Sequence, residues 1–321
     1  MAQATGTTDT YDLVGLAEDV EDIIFNIAPT ETPFLTMAKR KKVSAINHQW
    51  QTDDLAAAAA NRAIEGDDST YATATPTTML SNYTQISKKT VMVSGTADAV
   101  RKYGRKEEFA YQIAKKGKEL KRDIEFALIQ NQVSSAGGSG TARSSAGIEV
   151  MIVNRVLGTN NTTGTTPGYA AGVWGAVTDG TAATMVETDL VSALELAWQD
   201  GGDPSVVMVN STLKRRIASF AGASTYAGVS VNQGRTSQGV VVGGVDLYIS
   251  DFGEHKIKLN RYQRTGTVLC LDPEYVSVGF LRPIKFEERA KTGDSTRGEI
   301  LTEFTLIADN PNAHAKVQSV S

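Results

Sequence analysis

Three histidines (His48, His255, His314) and one cysteine (Cys270) are the side chains most useful to an enzyme. Zinc ligands recur at short, regular spacing, but these histidines are far apart and H-E-x-x-H is absent. His255, in FGEHKIKL, reads as a polar residue at a strand edge. Cys270 lies in VLCLD, an apolar strand, where a free thiol behaves as a small hydrophobe. No G-x-S-x-G nucleophile elbow occurs. Glu287-Glu288 and Asp67-Asp68 are adjacent carboxylates, and neighbours on a strand point to opposite faces, so neither makes an acid/base pair. SSAGGSGTARSSAG (134–147) and GTNNTTGTTPG (158–168) are rich enough in glycine to cradle a phosphate. Neither contains G-x-x-x-x-G-K-[ST] or joins a strand to a helix through G-x-G-x-x-G, so both read as flexible loops. Lys39-Arg40-Lys41-Lys42 could touch phosphate but without a second patch reads as a solvated run. Asn82, Asn161 and Asn210 open glycosylation sequons in a chain with no secretion leader, and these are chance matches. The residues assign no catalytic, cofactor-binding or metal-binding position and no cofactor, and they point away from an enzyme.

The elements that would position such groups are more informative. In a chain of 321 residues, 41% hydrophobic and 21% charged, a sizeable core and two domains are expected. No apolar run is long enough to span a membrane. A single cysteine excludes an internal disulfide and suits a reducing cytoplasm. Net charge is −4, which is not that of an obvious nucleic-acid binder. The charge is unevenly placed. Residues 1–38 hold seven acids and no Lys or Arg, whereas 101–122 hold nine bases against three acids. Either these are two solvated faces, or an acidic arm docks on a basic helix, its own or a neighbour's.

That basic stretch, Arg105–Gln132, places Phe109, Ile113, Leu120, Ile124, Ala127 and Leu128 on one face of a helix roughly 42 Å long. Gly117 inside it costs about 1 kcal/mol against Ala, so packing on the apolar stripe must hold it. We read it as a spine. Before it, Asp12–Ile27 has helical spacing of Leu13, Leu16, Val20, Ile23, Ile24 and Ile27, with acids opposite. Pro29 ends that helix, and Pro33 is expected to keep PTETPFL extended. Residues 43–52 and 79–94 alternate like strands and frame a long polar segment, which reads as a two-stranded hairpin with an irregular tip. Such a hairpin is marginal alone, and so long a loop does not belong inside a compact domain. Both difficulties vanish if it lies on another subunit.

Farther on, Thr188 should cap a helix with Leu190, Leu194, Ala197 and Trp198 on its stripe, ended by Gly201-Gly202. A strand at Ser205–Val209 follows, then a helix capped by Asn210 or Ser211, with Leu213, Ile217 and Phe220 on one face and Gly222 after it. Residues 223–244 read as a loop. Strands are expected at Val245–Ile249, Lys256–Leu259, Val268–Leu271, Val276–Leu281, Lys285–Ala290 and Glu299–Ile307. Late strands after a helical centre indicate α+β.

This order of arm, hairpin, spine and mixed domain resembles the major capsid proteins of tailed bacteriophages, which share the Hong Kong 97-type fold. ETPFL (31–35), NHQWQTDDL (47–55), NYTQISKKTVMVSGTADAV (82–100), YGRKEEFAYQIAKKGKELKRDIEFALIQN (103–131) and VSVGFLRPIKFEERAKTGDSTRGEILTEFTLIADNPNAHAKV (276–317) are similar to the SU10-like branch. The resemblance covers the whole chain. It implies an N-terminal arm at 1–45, an extended hairpin loop at 46–98, a peripheral domain from 99–135 and 269–321 with spine helix 105–132, and a mixed α/β axial domain at 136–268. It further implies self-assembly through pentamers and hexamers into an icosahedral head around double-stranded DNA, put together in the host bacterial cytoplasm. Hairpins and arms would tie neighbours. Portal, scaffold and decoration proteins are the other implied partners, and DNA contact would be weak and sequence-independent, through Lys39–Lys42 or the spine's bases. No scaffolding or protease segment is seen ahead of the arm. Some family members join subunits by a Lys–Asn bond from a hairpin-loop lysine. Residues 53–76 contain Arg62 but no Lys, so non-covalent assembly is expected. Two alternatives stand beside this reading: a cytoplasmic α/β enzyme with its site in 188–250, and another phage structural subunit such as a tail tube.

Overall fold

The computed structural model describes residues 30–321 apart from 63, 67, 69, 70, 72, 159–162 and 224–245. The helix expected at Asp12–Ile27, together with Asp67 and Asn161, lies outside these residues, as does nearly all of the loop at 223–244.

The described chain opens with helix α1 (Pro33–Met37), where extended backbone was expected. Proline occupies the first helical turn, where a missing N–H is no loss and a fixed φ favours the helix. Strand β1 (Lys39–Lys42) follows, then β2 (Asn47–Thr52), which pairs antiparallel with β3 (Thr78–Tyr83) from Asn47↔Tyr83 to Thr52↔Thr78. The expected hairpin stops there. After Thr84, β4 (Gln85–Ser94) leaves for another sheet, where Val91 and Val93 are buried. The Ser94 hydroxyl accepts from Ala97 N at 3.2 Å and caps α2 (Gly95–Ala99). The spine α3 is 22 residues, Glu108–Ile129, and buries Leu120, Ile124, Ala127, Leu128 and Ile129. Its expected first turn is used instead by Arg105, which pairs with Glu108.

Short elements come next: α4 (Ile148–Met151), β5 (Arg155–Leu157), β6 (Tyr169–Ala170) and β7 (Val173–Trp174). Helix α5 (Glu187–Gln199) starts one residue before the expected Thr188 cap, because Asp189 reaches back to the Val186 N–H at 3.0 Å. Leu190, Leu194 and Ala197 are buried as expected, but Trp198 is 60% exposed and its ring lies tilted against Phe252, centroids 5.8 Å apart, instead. Gly201, at φ +85, turns the chain out of the helix, and Gly202 N–H returns to Ala197 O at 2.8 Å. Strand β8 (Val206–Val209) is followed by α6 (Ser211–Ala223), capped by Asn210 Oδ1 on Leu213 N at 2.8 Å and running through Gly222. Strands β9 (Leu247–Ser250), β10 (Gly253–Leu259) and β11 (Thr267–Leu271) lead to β12 (Val276–Arg289), β13 (Ser295–Ala308) and β14 (Ala315–Gln318). β12 joins two expected strands into one of 14 residues. The register slips on either side of Arg282 absorb Pro283, which has no N–H for the ladder.

Two principal sheets result. One is four-stranded, in the order β1-β12-β13-β4, with β1 parallel to β12. The other is six-stranded, β5-β14-β11-β8-β10-β9. Its inner strands β8 and β11 are buried at every position, which is why VVMV and TVLCL read as unbroken apolar runs. β11 and β14, assigned by the resemblance to the peripheral part, are hydrogen-bonded members of this second sheet. One core joins α1, α3, α4 and the four-stranded sheet around Phe34, Leu128, Trp174 and Phe304. The other packs α5 and α6 on the six-stranded sheet through Leu194, Val207, Ile217 and Val317. The fold class is α+β.

Candidate assembly surface

The hairpin β2–β3 is held hard at its base and bare beyond it. At the base, Asn82 is fully buried. Its amide donates to Leu306 O at 2.8 Å and Ser145 Oγ at 3.1 Å and accepts from Ala146 N at 2.9 Å. Trp174 Nε1 donates to Ser81 O at 2.9 Å, and its own N–H donates to Ser134 Oγ at 2.8 Å. The stretch 134–147, read as a flexible loop, is therefore a clamp. Ser134 and Ser145 are buried, and Ser135 pairs with Ser144 across it. Where the strand breaks at Thr84, the buried Glu303 accepts from Thr84 Oγ1 at 2.7 Å, Arg143 Nη2 at 2.6 Å and Arg282 Nε at 2.9 Å.

Beyond that base, every described residue from Asp53 to Met79 is exposed. β2 and β3 pair only with each other. Leu55 is 99% exposed, Tyr71 93% and Ile64 79%. A folded chain that acts alone seldom holds so many large apolar side chains in water on one projection. The segment 53–76 also carries five acids against Arg62, so its chemistry suits an apolar surface with a positive rim.

The arm is anchored by Glu125, a fully buried carboxylate on the spine. It accepts from Phe34 N and Leu35 N, both at 2.8 Å, and from Asn260 Nδ2 at 2.5 Å. These are the orphan N–H groups at the start of α1, supplied with an acceptor from 90 residues away. Burial raises the Glu125 pKa above its ordinary value against the pull of these donors. Sequence reasoning passed over Glu125 because the cap is distant in the chain.

A second buried ionic group was equally invisible. Arg264 pairs with Glu149 and Asp179, the Thr267 hydroxyl donates to Glu149 at 3.1 Å, and Lys316 Nζ donates to Glu149 O at 2.6 Å. Lys316 is fully buried in β14, and desolvation outweighs the nearby carboxylates, lowering its pKa to about 7.

The residues with catalytic chemistry are not brought together. His255 is buried rather than at an edge, its ring held between Pro204 O at 2.6 Å and Ser250 Oγ at 2.7 Å. His314 is buried too; it accepts from Asp272 N at 3.1 Å, and desolvation lowers its pKa to about 4. His48 stacks on Trp50, with burial foremost and then Lys41 depressing its pKa. Burial pushes the Cys270 thiol up to about 12, so it is inert. Glu287, Glu288 and Asp68 are not buried, and Asn82 and Asn210 are inside. Among the described residues no three His, Cys, Asp or Glu side chains converge on a metal site. Lys39–Lys42 form an exposed edge strand, with Lys41 paired to Asp309 at 2.6 Å.

The chain is similar to capsid proteins of several phages. A stretch of 123 residues is 40% identical to the major capsid protein of Escherichia phage Phieco32, covering 38% of this chain and 35% of that protein. The capsid asymmetric unit of cyanophage A-1(L) superposes with a TM-score of 0.67 at 12% identity, over 97% of this chain and 98% of that one. A structure of the phage G gp27 major capsid proteins with gp26 decoration proteins matches with a TM-score of 0.54 at 9% identity, over the whole of both chains. Identities this low show the fold alone, that of the Hong Kong 97-type capsids. The sequence itself decides the branch: with residues 3–321 matched by the family profile described as SU10 major capsid protein, the chain belongs to that family.

Proposed function

We propose that this chain is the repeating subunit of an icosahedral phage head, assembled non-covalently through pentamers and hexamers around double-stranded DNA, with no enzymatic activity of its own. The observation that carries the proposal is the hairpin loop: bare from Asp53 to Met79, yet rooted in a rigid clamp. A projection of this kind buries its apolar side chains only against another copy, and repeated head-to-tail contacts close into rings. The arm spans 1–45, the hairpin loop runs from 46 to 84 rather than to 98 because β4 joins the four-stranded sheet, and the spine lies within 99–135. The four-stranded sheet forms the peripheral body with the spine, and the six-stranded sheet, including β11 and β14, forms the axial one. Portal, scaffold and decoration proteins are proposed as further partners. Contact with packaged DNA is weak and sequence-independent, and assembly takes place in the host bacterial cytoplasm.

The enzyme alternative would use the α/β unit at 188–250. The groove there, about 460 Å³, is lined by Asn210, Asn260 and Arg261 among others. Its two asparagines are already committed, one capping α6 and the other held by Glu125. Electron microscopy of the purified protein tests the proposal. Closed shells are expected; discrete small particles would favour the enzyme, and tubes a tail subunit.

A further inference from the structure

We propose that the acidic segment Asp12–Ile27 docks on the basic face of its own spine helix. A groove of about 240 Å³ is lined on one side by Thr30 and on the other by Tyr111, Ala114, Lys115, Lys118 and Arg122 of α3. These positions share one face of the helix. Lys115, Lys118 and Arg122 form no ion pair with any described residue. Glu119, the acid on this groove, is taken by Lys116 at 2.8 Å. Arg122 lies over the Tyr262 ring at 5.8 Å, yet its buried Nε has no acceptor among the described residues. Among the described residues the face carries three cations, Lys115, Lys118 and Arg122, against one acid, Glu119, whose charge is shared by Lys116 and Lys115.

The counter-charges are next in the chain. Residues 1–29 hold Asp9, Asp12, Glu18, Asp19, Glu21 and Asp22 and no Lys or Arg. The described chain begins at Thr30, and Thr30 itself lines the groove. From Ile27 to Thr30 the backbone spans about 10 Å. As a helix, Asp12–Ile27 would be about 24 Å long, against about 17 Å from Tyr111 to Arg122. Phe126, one turn farther along the same face, is 52% exposed. A neighbour's arm carries the same charges, but the chain's own is tethered at the mouth of the groove, where its effective concentration is of millimolar order. The arm then clasps its own spine, the loop 53–77 remains the tie between copies, and the spine's bases are neutralised before DNA meets them.

The test uses the full-length chain carrying Glu18→Cys and Lys118→Cys, with Cys270 buried and unreactive. After treatment with a short bis-maleimide and denaturation, a peptide linking the two sites is expected in the monomer-mass band. A link only at dimer mass or above, or no link at all, overturns the proposal. A second measurement leaves the described fold untouched: Asp12→Asn, Asp19→Asn and Asp22→Asn together should speed proteolysis within residues 1–29 roughly fivefold at low salt, and high salt should speed cleavage of the unaltered arm likewise. Equal rates for variant and parent chain also overturn it.

Discussion

Glu125 is where the arm meets the body, and its environment makes specific demands. Replacing it with alanine leaves two N–H groups of α1 and the Asn260 amide without an acceptor inside the protein. Glu125→Ala should therefore lose about 3 kcal/mol in urea unfolding. Glu125→Gln, isosteric and neutral, keeps one acceptor oxygen but turns an NH2 group toward a backbone N–H that the other oxygen served, so it should lose less than alanine without matching the parent. The pH dependence follows from the raised folded-state pKa. The folded protein holds a proton that the unfolded chain releases just above 4.5, so this group's contribution is present at low pH and fades as pH rises through the folded value. The parent chain should gain stability on acidification toward 4.5, and the Gln variant should lack that gain. Lys316 behaves in the opposite sense. Its pKa is about 7 folded against 10.5 free, so the cost of burying its charge is full below 7 and disappears toward 10.5. Stability should rise with pH across that window, and Lys316→Met should flatten the rise. Parallel profiles for the two proteins would rule this out.

The secondary-structure elements show where pattern suffices and where it does not. The spine, α5, α6 and the late strands are periodic or continuously apolar, and were legible for that reason. The clamp at 134–147 was not, because its Ser and Gly residues carry no periodicity, and Ser134 and Ser145 matter only once Trp174 and Asn82 reach them. The turn of β4 away from the hairpin was hidden because both possible partners, β2 and β13, satisfy the same alternation. Glu125 and Lys316 were missed because a distant partner leaves no local signal. Gly117 offers a direct check on the spine. A methyl group added there would meet Ile300 Cδ1 at 3.8 Å, an ordinary contact. Gly117→Ala should thus raise stability by about 1 kcal/mol by helix propensity alone, read as a higher urea midpoint in the unassembled chain.

Among the described residues the molecule divides into a packed body and an exposed projection. Removing residues 56–75 takes out a segment whose described residues are all exposed, while Asn82, Ser81 and Trp174 keep their bonds. The far-UV spectrum and unfolding midpoint should be retained, and shells should no longer form under the electron microscope. A collapsed fold would mean that the loop serves its own chain. That such a loop does not belong inside a compact domain was readable from composition and hairpin physics; which surface would receive it was not, since a sequence describes one copy at a time.

The place of β14 has a consequence for synthesis. It sits between the edge strand β5 and β11, so until residues 315–318 leave the ribosome β5 has no partner in the second sheet and one side of β11 is open. β12 and β13 must likewise arrive before β1 and β4, made more than 180 residues earlier, belong to one sheet. A polypeptide interrupted before Ala315 would leave one side of the apolar strand β11 as an open sheet edge and be a target for proteolysis. The topology thereby ties completion of the second sheet to translation through Gln318.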